Sequence, residues 1–172
     1  MSTEKPLVNR IAQSGLITFK LEDYLPQAEI VHFDLKDYLF KELILKEKDF
    51  REALKEHDWS TYQDKILLVH CSTDAIIPVW AYMLVTAYAT PYASEVFQGS
   101  KDDYLIRHFS KVIDRIDAAD YEDALLVIKG CSDLPVPLTA YVMITEKLRP
   151  VARSIMFGEP CSTVPIYKRS RK

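Results

Sequence analysis

Glycine is scarce, with four in 172 residues, and neither a GxGxxG nor a Walker pattern is present. A glycine-rich phosphate loop is thereby excluded. Cysteine is almost as scarce. The three present fit no disulfide framework and are expected as free thiols, thiolates or metal ligands in a reducing compartment. No apolar run approaches the roughly 18 residues needed to span a bilayer, so no membrane partner is expected. Met1 to Asn9 lacks the apolar core of a signal peptide, which makes a soluble cytoplasmic protein the expectation. Neither sign of charge dominates: the net charge is −3 and the pI about 5.8. General nucleic-acid binding therefore has no electrostatic footprint here. The basic run Lys168-Arg169-Ser170-Arg171-Lys172 reads as a solvated tail.

What the chain does have is apolar content, 48% of it, and a stretch it seems to carry in two versions, Asp58 to Met83 and Asp117 to Val142. Sliding the sequence by 59 positions brings Phe50 onto Phe109, Asp58 onto Asp117, Tyr62 onto Tyr121, Asp64 onto Asp123, Pro78 onto Pro137, Tyr82 onto Tyr141 and Gly99 onto Gly158. Around the cysteines the register slips by one, so that Cys71-Ser72 meets Cys131-Ser132. A third pair, Cys161-Ser162, follows the second version.

Each version reads as helix, strand, turn, helix, strand. Asp49 is a candidate N-cap with Glu52 as its capping-box partner, and Phe50, Ala53, Leu54 and His57 follow at helical spacing. Ile66 to His70 is apolar on both faces, as a buried strand should be. Pro78 suits the first turn of a helix over Trp80 to Tyr88, and Glu95 to Gln98 is a short strand. The second version follows suit. A helix over Tyr104 to Ile116 should bury Leu105, Phe109, Val112 and Ile116; a strand at Leu125 to Ile128, a helix opened by Pro137 and a strand at Ser154 to Phe157 come after it. Ahead of both versions, Leu7 to Gln13 reads as a short helix, and Leu16 to Leu21 and Ile30 to Leu35 as strands. Leu43-Ile44-Leu45 fits either a helix end or a strand.

Strands alternating with helices imply an α/β fold with a mostly parallel sheet and flanking helices. The expected organisation is one α/β domain over residues 1–172. It comprises an N-terminal strand extension (1–45), repeat units at 46–100 and 101–162, and a basic C-terminal tail (163–172). The two units are expected to share one sheet.

Ligands in open α/β sheets bind beyond the carboxyl ends of the strands. Cys71 and Cys131 each stand at such an end, ahead of a helix N-terminus whose partial positive charge stabilises a thiolate. If their strands are neighbours, both share a rim that Cys161 can reach. The metal ligands expected are then Cys71, Cys131 and Cys161, for zinc, iron or an iron–sulfur cluster, with Ser72, Asp74, Ser132, Asp133 and Ser162 beside the cofactor and Glu159 nearby. Against this stands the plain alternative that the cysteines are small buried residues whose serines cap turns. His70 adjoins Cys71, but strand neighbours point to opposite faces, which speaks against a Cys–His pair. His32 reads as structural, and Asp74 and Asp133 as helix caps. Tyr82 and Tyr141 read as core.

The runs GLITFKLEDY, LKEKDFREALKEHDW, CSTDAIIPVWAYM, KGCSDLPVP and MFGEPCSTVPIYKR together resemble an uncharacterised bacterial family, domain of unknown function 2480. The resemblance covers roughly Val8 to Arg169. It implies a neighbourhood of iron–sulfur assembly proteins as partners, and no catalytic residues. The expected function is an accessory protein with a cysteine-lined metal or iron–sulfur site. The alternatives are a thiol-dependent enzyme, with Cys161 the first choice of nucleophile, and a partner-binding scaffold. A homodimer is compatible with each.

Overall fold

The computed structural model describes residues 15–130, 134–159 and 162–170. The helix expected over Leu7 to Gln13 lies outside them. The strands are β1 (Leu16–Phe19), β2 (Ile30–Asp34), β3 (Ile66–His70), β4 (Glu95–Gln98), β5 (Leu125–Ile128), β6 (Ser154–Glu159) and β7 (Ser162–Lys168). The helices are α1 (Glu47–Glu56), α2 (Val79–Ala89), α3 (Lys101–Arg115) and α4 (Leu138–Leu148). The fold is α/β with mostly parallel pairing, as the alternating pattern implies.

The strands form two sheets, not the single shared one expected: β1-β5-β6-β7 and β2-β3-β4. The chain divides accordingly into two compact units. One is contiguous, Pro26–Leu105; the other is split, Met1–Leu25 with Ile106–Lys172, and the division falls within α3. The reason is local. Each N-terminal strand supplies a parallel edge to a different sheet, β1 beside β5 and β2 beside β3, so each half completes a sheet of its own.

In the contiguous unit, β3 runs parallel between β2 and β4. Phe33, Leu67 and Val69 bury one sheet face against Phe50 and Leu54 of α1 and Ala81, Val85 and Ala89 of α2. Burial of this kind stabilises by about 1.5–3 kcal/mol for each large aliphatic or aromatic side chain. α1 begins at Glu47 rather than at the expected cap: Lys46 is the N-cap, and Asp49 lies inside the first turn, where its carboxylate complements the helix dipole. Leu43-Ile44-Leu45 is neither helix nor strand. A single bridge joins Phe40 to Ile44, across Lys41 and Glu42 at positive φ.

In the split unit, β1, β5 and β6 are parallel and β7 returns antiparallel to β6. Its core includes Phe19, Leu21, Phe109, Leu126, Ile144 and Ile155. On α3 the buried residue is Ile113, where Val112 was expected. The stripe there advances by four, from Leu105 to Phe109 to Ile113. β7 ends in Lys168, and Arg169 beyond it donates through Nη2 to the Val151 carbonyl at 2.6 Å.

Positions 59 apart take the same local geometry at several points. Asp64 and Asp123 both have positive φ, 60° and 54°, and each donates its N–H at 3.0 Å, to Tyr92 and Val151 respectively. Asp58 and Asp117 both accept a backbone N–H two residues on. The N-terminal strands match likewise. Phe19 stacks on Tyr24 at 5.5 Å, and Phe33 on Tyr38 at 5.1 Å.

Candidate functional site

At the carboxyl rim of the β2-β3-β4 sheet lies a cleft of about 430 Å³, within the size range of small-molecule sites. All three strands feed it. β2 gives His32, the end of β3 gives His70 and Cys71, and β4 gives Gln98. Gly99, Ser100 and Lys101 enter α3 along its edge, and Tyr82 of α2 closes one side.

The strand register explains the histidines. His32 lies opposite Leu68, so His70, two residues on, shares its face. His32 Nδ1 comes within 3.2 Å of His70 Nε2, with the rings near perpendicular at 85°. Asp34, paired with His70 in the ladder, accepts backbone N–H bonds from Ser72 and Lys36, each at 3.0 Å. Burial alone would raise the Asp34 pKa. The Ser72 side chain, those two N–H groups and the nearby His70 outweigh it and hold the carboxyl below its usual value.

Cys71 is half-buried just beyond β3, and its Sγ lies 3.3 Å from Thr73 Oγ1. Burial raises the Tyr82 pKa, and the Cys71 charge adds to the effect. The entry to α3 is fixed by a capping box: Ser100 Oγ accepts the Asp103 N–H, and Asp103 Oδ2 accepts the Ser100 N–H, both at 3.1 Å. These bonds lower the Asp103 pKa. Gly99 stands at φ 138°, a conformation that glycine adopts without strain.

The corresponding place in the split unit is chemically different. Phe157 stands where the contiguous unit has Gln98, packed on Tyr141 at 5.8 Å. Its ring lies so close over Gly130 that any Cβ there would overlap it. Lys129 stands where the contiguous unit has His70, and its Nζ is 2.7 Å from Glu22 Oε1. Glu22 is almost wholly buried, and its Oε2 has no hydrogen-bond partner among the described residues. The neighbouring cavity, about 450 Å³, is lined chiefly by Ile128, Tyr141, Val142, Phe157 and Ile166.

Of the residues expected as a metal and cofactor set, Cys71 lines the cleft. Ser72 is fixed through its backbone to Asp34. Asp74 and Ser162 are exposed. Asp74 does not cap α2, because Pro78 takes that position without a side-chain bond. Cys131, Ser132, Asp133 and Cys161 lie outside the described residues. β3 and β5, the strands before Cys71 and Cys131, belong to different sheets and are not neighbours. Among the described residues no three His, Cys, Asp or Glu side chains form a metal-binding group. Sequence reasoning passed over His32, Gln98, Ser100 and Lys101. The signal for His32 lay in its two-residue spacing from Asp34 on a strand pairing with His70.

Fold and cleft together define a parallel α/β protein with a polar site at the strand ends of one unit. The chain belongs to the family described as protein of unknown function DUF2480, which matches residues 5–169. No curated protein and no solved structure matches it. No helix among the described residues is long and apolar enough to cross a membrane.

Proposed function

We propose that the contiguous unit carries the function of this chain, and that its cleft binds a small molecule bearing an acidic group, a carboxylate or a phosphate. The observation that carries this reading is the convergence of His32, His70, Gln98, Ser100 and Lys101 on one rim, while Phe157 and a paired Lys129 take the matching positions in the split unit. Lys101 brings an ammonium to the first residue of the 15-residue helix α3, where unpaired N–H groups add partial positive charge. Asp103 does not cancel that charge at the cleft, because its carboxylate is engaged by Ser100.

The test is thermal unfolding of the full chain with inorganic phosphate and with malonate as probes. A probe present at ten times its Kd adds about 1.4 kcal/mol, a midpoint rise of about 3–6 °C. The rise should vanish in Lys101→Ala and His70→Ala. An equal rise in both variants removes the reading.

A second reading, a thiol-dependent enzyme, is favoured by one observation: Cys71 lines this same cleft. A thiolate there would be the nucleophile. Alkylation of Cys71 slowed by phosphate or malonate supports it; alkylation indifferent to both probes speaks against it. The iron–sulfur accessory reading rests on the three cysteines, of which Cys71 alone is described.

A further inference from the structure

The closest polar contact inside the cleft is between two nitrogens that are both good metal ligands. His32 Nδ1 and His70 Nε2 lie 3.2 Å apart. Two imidazole nitrogens bound at 2.0–2.1 Å to one tetrahedral ion lie about 3.3–3.4 Å apart. A hydrogen bond between them would bring them nearer to about 2.9–3.0 Å. The register of β2 against β3 holds both rings on one face, so their approach is built into the sheet rather than left to mobile loops. Both side chains are solvent-accessible, which leaves an ion a way in. Asp34 lies on the same strand face and influences His70, the kind of carboxylate that orients a ligating imidazole.

We propose that His32 and His70 form the nucleus of a binding site for a divalent transition-metal ion of zinc type. Cys71 completes the protein ligands by turning its thiolate from Thr73 into the cleft. The remaining position faces the cleft and takes the acidic group of the bound molecule. This inference rests on the ligand-binding reading of the cleft and names what holds that ligand. Imidazole with thiolate is a donor set that suits zinc over calcium or magnesium. The set differs from the three-cysteine one expected from the sequence: it needs neither Cys131 nor Cys161.

The test uses the full chain without a metal-affinity tag, stripped of metal, with zinc(II) and cobalt(II) as probes. One equivalent of zinc should bind, and the imidazole nitrogen signals of His32 and His70 should shift together on its addition. Cobalt should give the intense visible bands of a tetrahedral site, with a thiolate charge-transfer band that Cys71→Ser removes. His32→Ala and His70→Ala should each weaken zinc by at least about tenfold, while Cys131→Ser with Cys161→Ser leaves affinity unchanged. Unshifted imidazole signals in the unaltered chain overturn the proposal whether or not the variants fold. So does binding lost with Cys131 and Cys161 but kept without His32. If zinc does not bind yet phosphate or malonate still stabilises the chain through Lys101, the metal falls and the cleft reading stands. If neither binds, both fall.

Discussion

His57 shows how a single side chain reports its surroundings. Its ring packs against Phe33, Trp59 and Tyr62, and its two nitrogens face the hydroxyls of Tyr38 and Tyr62 at 3.4 and 3.0 Å. Burial holds its pKa below 6.5, with Asp58 opposing. Folding therefore favours the neutral ring. The stability this brings is fully present above the unfolded value, about 6.5, and is lost as pH falls through the lower folded value. Urea midpoints followed from about pH 7.5 down to about pH 5 should decline less steeply in His57→Asn than in the parent; parallel slopes would contradict this. Lys129 is a second case. Lys129→Ala leaves the buried Glu22 carboxylate without its partner at 2.7 Å, at an expected cost on the order of 1–3 kcal/mol in urea unfolding. Replacing both, Lys129→Met with Glu22→Gln, should recover most of that loss. These environments could not be read from sequence, because they depend on which strand pairs with which.

At the scale of elements, the parallel strands were legible and their grouping was not. Ile66–His70 and Leu125–Ile128 stand out as continuous apolar runs, and Pro78 and Pro137 mark the starts of α2 and α4. The partition into two sheets had a signal that went unread: Phe19-Lys-Leu-Glu-Asp-Tyr-Leu25 matches Phe33-Asp-Leu-Lys-Asp-Tyr-Leu39 in five of seven places. Each copy heads one sheet as β1 or β2. Helix packing is testable here. Leu54, fully buried in α1 against the contiguous unit's sheet, should cost about 2–5 kcal/mol as Leu54→Ala. The β5–α4 connection is as exacting. Gly130→Ala forces the Phe157 ring aside and should cost about 1–3 kcal/mol. A loss below half a kcal/mol by denaturant titration would show that the ring has room to move.

For the whole molecule, the contiguous unit interrupts the split one in sequence, with a sheet and a core of its own. A fragment spanning Pro26–Arg115, which keeps α3 whole, should unfold cooperatively by circular dichroism; a featureless melt would show that it depends on the rest of the chain. The candidate site was half-legible for the same topological reason. Cys71 at a strand end could be picked from sequence. His32 could not, because its meeting with His70 depends on the pairing of strands 38 positions apart. The central claim is that the cleft of the contiguous unit is where this chain binds its ligand. Amide chemical-shift mapping of the full chain titrated with phosphate, and separately with malonate, tests it most directly. The account predicts perturbations concentrated at His32, His70 to Ser72 and Gln98 to Lys101. Perturbations centred instead on Tyr141 and Phe157, or none from either probe, would contradict it.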